Sequence, residues 1–113
     1  MPQPRSVGTD AENRAAEHLL TKGLTLLTRR FKSGRGEIDL IALDGERLVF
    51  VEVKARRNPD DALSAVTPAK IQRLVDAAAR YAEGAGLENE WRFDVVVVCP
   101  DAIHHYPDAF QAW

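Results

Sequence analysis

Apolar residues recur along this chain in two periods, and the change from one to the other marks out its elements. Ala11, Ala15, Ala16, Leu19 and Leu20 share one face of a helix that takes Thr9 or Asp10 as its N-cap and stops at Gly23. Residues 1–8, with two prolines and no periodicity, read as a flexible arm before it. Leu24–Thr28 predicts a short strand that runs out into the basic stretch Arg29-Arg30-Phe31-Lys32, and Ser33-Gly34-Arg35-Gly36 predicts a turn.

The next two stretches, Gly36–Ala42 and Leu48–Lys54, have strand character, and Leu43-Asp44-Gly45-Glu46 between them carries the Asp-Gly pair of a hairpin. Alternation puts Leu48, Phe50, Glu52 and Lys54 on one face and Val49, Val51 and Val53 on the other, with Glu52 and Lys54 about 7 Å apart. On the first strand it groups Glu37, Asp39 and Ile41. Both faces are apolar enough to be buried, and buried charges need partners or a metal. Asp39, Glu52 and Lys54 therefore call for an explanation.

After a polar loop over residues 55–61, Thr67-Pro68 announces a second helix, with a capping hydroxyl followed by proline at the first helical position. Ile71, Leu74, Val75, Ala78 and Ala82 make its buried face, and Gly84-Ala85-Gly86 ends it. Lys70, Arg73, Ala77 and Arg80 form a neighbouring stripe with three positive charges. Such a stripe is ordinarily a solvated face, and phosphate contact is the sharper alternative. Trp91–Cys99 reads as a fully buried strand stopped by Pro100, and Ile103–Tyr106 as a short edge strand. A hairpin followed by a helical crossover to another strand predicts an α/β fold: a mixed sheet flanked by helices, in the order helix, strand, hairpin, helix, strand.

The 113 residues suit one domain spanning 1–113, with one modest core. No apolar run reaches the length of a membrane span, and Met1-Pro2-Gln3-Pro4-Arg5 lacks the apolar core of a secretory signal. A lone cysteine, Cys99, excludes an internal disulfide framework and fits a reducing cytoplasm. The formal net charge of −2 does not suggest an indiscriminate nucleic-acid coat. It hides an asymmetry, however. Arg29, Arg30, Lys32, Arg35, Arg56, Arg57, Lys70, Arg73 and Arg80 precede a segment from Glu83 onward that has several acids and one base, Arg92. A basic side opposite an acidic side can hold a polyanion locally without raising the overall pI.

Glu-x-Lys is weak by itself. Its setting raises the signal, because Glu52 and Lys54 close an apolar strand that a hairpin pairs with the strand of Asp39. Two carboxylates suit a hard cation such as Mg²⁺ that keeps part of its hydration shell, and a lysine beside them can orient water or stabilise charge on a phosphate. The ordinary alternative is a structural ion pair of Lys54 with Glu52 or Asp39. Phosphate-binding glycine loops, zinc-type Cys/His sets and nucleophile elbows are absent. Ser33 and Ser64 have no local base, His104-His105 face opposite sides of a strand, His18 reads as exposed, and Cys99 reads as a core thiol. Glu12, in the first turn of its helix, is accounted for by the helix macrodipole.

The run Gly36-Glu37-Ile38-Asp39-Leu40-Ile41-Ala42, then Leu48–Arg56, closely resembles the bacterial YraN family of small proteins. The likeness extends to Glu12 with Ala15-Ala16, to Lys70, Arg73-Leu74 and Tyr81, and to Arg92–Val96. That family is similar to the PD-(D/E)xK nucleases, near the archaeal Holliday-junction resolvases, and the resemblance implies a restriction-endonuclease-like core. It carries over a catalytic set: Asp39 matches the first acid, Glu52 the second, Lys54 the lysine, and Glu12 the first-helix acid that completes the metal site. Ile38 stands where the motif has proline and Ala11 where a glycine is usual, and neither change removes a catalytic group.

The expected function is a Mg²⁺- or Mn²⁺-dependent endonuclease acting on branched or processed DNA. Asp39, Glu52 and Glu12 would serve the metal, Lys54 would position water, and the nine basic residues above would hold the backbone. A homodimer follows by analogy, since a four-way junction needs two symmetric cuts. The alternative is a non-catalytic nucleic-acid-binding module that serves a recombination or DNA-uptake partner such as a helicase. A third class is a purely structural protein with an internal ion pair.

Overall fold

The computed structural model describes residues 7–62 and 65–110. The chain runs α1 (Val7–Thr21), β1 (Thr25–Ser33), β2 (Gly36–Asp44), β3 (Arg47–Ala55), a single 3₁₀ turn (Pro59–Asp61), α2 (Pro68–Ala85), β4 (Trp91–Val98) and β5 (Ile103–Phe110). Five strands form one sheet in sequence order. The β1–β2, β2–β3 and β4–β5 pairs are antiparallel and β3–β4 is parallel. The parallel step is made by α2, as a crossover requires. The expected mixed sheet between helices is present.

Each helix covers one face. Ala11, Ala15, Ala16 and Leu19 of α1 pack on Leu40, Ala42, Val49, Val51, Val96 and Val98. Leu74, Ala77, Ala78 and Ala82 of α2 pack on Ile38, Ile41, Leu48, Phe50 and Phe93. Small residues on both helices let their backbones approach the sheet closely. At Gly36 the approach leaves no room for a side chain, since a Cβ there would collide with the Arg73 carbonyl oxygen and lie 3.0 Å from Ala77 Cβ. This contact ties the start of β2 to the first half of α2. The Thr67 hydroxyl caps α2 by accepting from the Lys70 N–H, and Gly86 closes the helix in a left-handed conformation that glycine adopts without strain.

Several expectations change. The first helix begins at Val7, inside the stretch expected to be an arm, and residues 1–6 lie outside those described. Leu20 is exposed, and Leu24 takes the place expected for it in the core. Ala77 lies fully buried under the sheet rather than on the basic stripe. The basic stretch after Thr28 is not a run-out but the second half of β1, pairing Arg29 with Leu40 and Lys32 with Glu37. Phe31 continues the inward alternation there, and the cations on this edge strand discourage pairing with another chain. The edge strand β5 is twice as long as expected. Ser64 lies outside the described residues.

Candidate active site

The β2–β3 ladder runs from Asp44↔Arg47 to Leu40↔Val51 and goes no further. Beyond it β2 stays with β1, through Ile38↔Phe31 and Glu37↔Lys32, while β3 stays with β4, through Glu52↔Val95 to Ala55↔Val98. Two strands therefore part in the middle of a sheet, which would leave backbone groups unpaired. The Asp39 carboxylate fills the gap, with Oδ2 accepting the Val53 N–H at 2.8 Å. Strict alternation would set Ile38 on the face of Leu40. Instead Ile38 joins Ile41 under α2, so the alternation breaks at Asp39.

Glu52 projects into the same opening. It hydrogen-bonds the Asp39 side chain, so two carboxyl groups meet where water is scarce. Burial, together with the hydrogen bond and charge of Glu52, pushes the Asp39 carboxyl up to about 8, against the Val53 N–H and Lys54, which pull it down. At neutral pH such a pair holds a proton or, in its place, a cation. That chemistry fits a divalent ion held by two carboxylates and completed by water and phosphate oxygens. Lys54 follows on the same face of β3. Burial pushes its ammonium below the ordinary lysine range, Glu52 opposes this, and Lys70 of α2 and Arg56 push it further down.

Glu12 reaches this end of the sheet from the α1 side. It is buried and bound to Arg30, whose Nε donates to Oε1 at 2.8 Å. Arg30 thus engages a carboxylate rather than facing only a phosphate, and it does so from a left-handed backbone (φ 51°) that is costly for a residue with a Cβ. Strain of this kind persists where surrounding contacts over-determine it. Among the described residues, no three His, Cys, Asp or Glu side chains converge as a metal cage. Asp39 and Glu52 form the pair, and Glu12 stands on Arg30.

The remaining cations gather in two groups flanking the opening. On the α2 side, Arg35, Arg73 and Arg80, with Ser33, Gln72 and Asp76, line a hollow of about 440 Å³. On the α1 side, Arg56 and Arg57 line a second hollow of about 550 Å³. Arg29 bonds Asn13, Lys32 is exposed on β1, and Lys70 sits beside Lys54. The largest of the three described hollows, about 750 Å³, lies at the opposite end of the sheet among Asp44, Glu46, Glu88 and Glu90. Four carboxylates there outnumber Arg47 and Arg92, so it repels a polyanion. The charge asymmetry read from the sequence is therefore an asymmetry between the two ends of the sheet.

One buried charge escaped the sequence reading. Asp94 is fully buried in β4 and accepts from Arg92 Nε (2.8 Å) and Nη2 (2.9 Å) and from the Asp108 N–H (2.9 Å), with His105 Nε2 at 2.7 Å. Burial raises its carboxyl, but His105, Arg92 and Asp108 more than offset this and hold it below the usual range. The signal was an acid inside an apolar run with an arginine two positions away on the same face. His18 is half-buried rather than exposed, edge-on to His105 at 6.2 Å. Tyr81 packs edge-on against Phe31 at 5.2 Å, a core role. Cys99 is buried, as read.

The profile of the uncharacterised protein family UPF0102 matches residues 11–98. A UPF0102 protein of Rhodopseudomonas palustris (strain BisB18) is 46% identical over 108 residues, covering 93% of this chain and 80% of the relative. Another, of Bradyrhizobium diazoefficiens, is 43% identical over 108 residues, covering 93% and 81%. Among solved structures the chain is similar to Hjc, a Holliday junction resolvase of Archaeoglobus fulgidus. The TM-score is 0.52 and the identity 22%, over 91% of this chain and 74% of that one. The likeness shows a shared restriction-endonuclease-like fold.

Proposed function

We propose that this chain, which belongs to the uncharacterised protein family UPF0102, is a divalent-metal-dependent endonuclease acting on branched or processed DNA. The observation that carries the reading is the Asp39–Glu52 carboxylate pair with Lys54 beside it, set where two central strands part at the basic end of the sheet. A structural ion pair would not need a second carboxylate forced against the first. Hjc, which has the same fold, is a Holliday junction resolvase, and this favours a branched substrate and, through two symmetric cuts, a homodimer.

Asp39 and Glu52 would hold the ion, Mg²⁺ or Mn²⁺, which when bound supplies positive charge against the phosphate and makes nearby water more acidic. Asp39 is pinned by the Val53 N–H, so the pair is oriented before any ligand arrives. Lys54, with its proton affinity lowered, can hold a water by hydrogen bonding and pass a proton at Nζ. Arg30 Nε holds the Glu12 carboxylate at 2.8 Å on the α1 side. Arg35, Arg73 and Arg80 on one side, and Arg56 and Arg57 on the other, would hold the backbone across the sheet end.

The test is cleavage of a labelled four-way junction, with linear duplex and single strand as controls, in Mg²⁺ and in Mn²⁺. Asp39→Asn prepared identically exposes contaminating nuclease. Cleavage by the wild type alone supports the enzyme. A second reading, a binding module that works through a recombination or DNA-uptake partner, is favoured by one fact: Glu12 is held by Arg30, so only two acids meet among the described residues. Junction binding without cleavage in either metal selects that reading.

A further inference from the structure

Beside the opening, on the α1 face, lies the hollow of about 550 Å³, within the size range of sites that enclose a small ligand. Its lining is apolar in Ala11, Ala55, the buried Val98 at the end of β4, and Pro100, while the Cys99 side chain packs on the other face of the sheet with Val95 and Val97. Its rim holds the guanidinium groups of Arg14, Arg56 and Arg57 against one acid, Asp10. Ala11 adjoins Glu12 along α1, so the hollow begins one residue from one of the four candidate catalytic side chains, and Ala55 lies on the α1 face of β3 while Lys54 stands on the other. Arg14 is half-buried, and its Nη1 donates to the Cys99 carbonyl at 3.0 Å, which tethers the guanidinium at the hollow. A guanidinium has five N–H donors, so this bond anchors the group without exhausting it.

We infer that this hollow receives one unpaired nucleotide of the DNA, its base on the apolar floor against Arg14 and its phosphate on Arg57. The inference rests on the nuclease reading and adds a substrate preference to it. A paired base offers neither face nor edge to a concave site, whereas an unstacked base can enter one. Apolar contact and stacking on a guanidinium plane hold a base without selecting its identity, and the neighbouring cations take the phosphate. Three guanidinium groups to one carboxylate suit a ligand with an apolar body and a negative charge. Branch points and strand ends supply such a nucleotide, and an intact duplex does not.

The experiment compares three fluorescent DNAs bound to the Asp39→Asn protein, which retains the hollow and is expected not to cut. One is a blunt duplex, one carries a tail of three thymidines at the 5′ or 3′ end, and one carries a tail of three abasic residues. The abasic tail keeps the phosphates and removes the bases. The thymidine tail is expected to bind on the order of 10-fold tighter than the abasic one, a difference that base contact alone supplies. Arg14→Gln should abolish that ratio. Arg57→Gln, at an exposed position, should lower affinity for both tails and keeps the test open if Arg14→Gln does not fold. Arg73→Gln, in the hollow on the α2 side, should weaken all three DNAs alike. Equal affinity for the two tails, or a ratio that survives in a folded Arg14→Gln protein, overturns this inference and leaves the nuclease reading standing. No binding of any of the three overturns both.

Discussion

The Asp39–Glu52 pair makes a prediction about the stability of the metal-free protein that needs no substrate. The folded state lifts the Asp39 carboxyl from 3.8 to about 8, so between those values the folded chain binds a proton that the unfolded chain releases. The contribution is fully present below pH 3.8 and is lost as pH rises through 8, with a slope approaching about 1.4 kcal/mol per pH unit. From pH 6 to pH 8 the loss is about 2–3 kcal/mol, a large share of the roughly 5–15 kcal/mol typical of a domain. Asp39→Asn should remove the slope. The amide oxygen still accepts the Val53 N–H, and the amide nitrogen donates to Glu52 where the shared proton sat. Urea unfolding in EDTA at pH 6, 7, 8 and 9 should show the variant gaining about 2–3 kcal/mol on the wild type by pH 8. His18, whose imidazole is pushed down first by burial and then by Lys22 and His105, titrates in both proteins and drops out of the difference. Mg²⁺ at one hundred times its Kd should then restore about 2.7 kcal/mol at pH 8 to the wild type and nothing to the variant. A wild-type stability that stays level with the variant from pH 6 to pH 8 would refute the pairing of the two carboxylates.

Three further outcomes follow from other contacts. Asp94→Asn, which leaves Arg92 and His105 without their buried anion, should cost about 3 kcal/mol by urea unfolding at pH 7. That cost should shrink as pH falls below 3.8, where the wild-type carboxyl loses its own advantage. Gly36→Ala should lower stability by about 1–3 kcal/mol, because its Cβ must displace the Arg73 carbonyl. Junction binding should weaken with it, as α2 carries three of the basic residues, and unchanged binding at full stability would argue against this packing. Arg73→Gln should reduce the slope of log affinity against log salt by about 1, read by fluorescence anisotropy between 50 and 200 mM salt.

Much of this architecture was legible in residue order alone. The α2 boundaries follow from Thr67-Pro68 and Gly86, because a capping hydroxyl and a left-handed glycine act within one turn. The central strands declare themselves through unbroken Val, Leu and Ile runs, since a strand covered on both faces must be apolar on both. The likeness of Gly36–Arg56 to a known family pointed to Asp39, Glu52 and Lys54 before any fold was drawn. What alternation could not supply was the parting of β2 from β3. That depends on β2 keeping β1 as its neighbour while β3 keeps β4, a competition between partners distant in sequence. The Arg30–Glu12 pair was hidden for the same reason, since it joins a helix to an edge strand across 18 residues through an unusual backbone angle. So was the assembly of Arg14, Arg56 and Arg57 around one apolar floor. Local periodicity decides which residues are helical, extended or capped. Only packing decides which charges meet, because opposing side chains are chosen by register and crossover rather than by nearest neighbours in the chain.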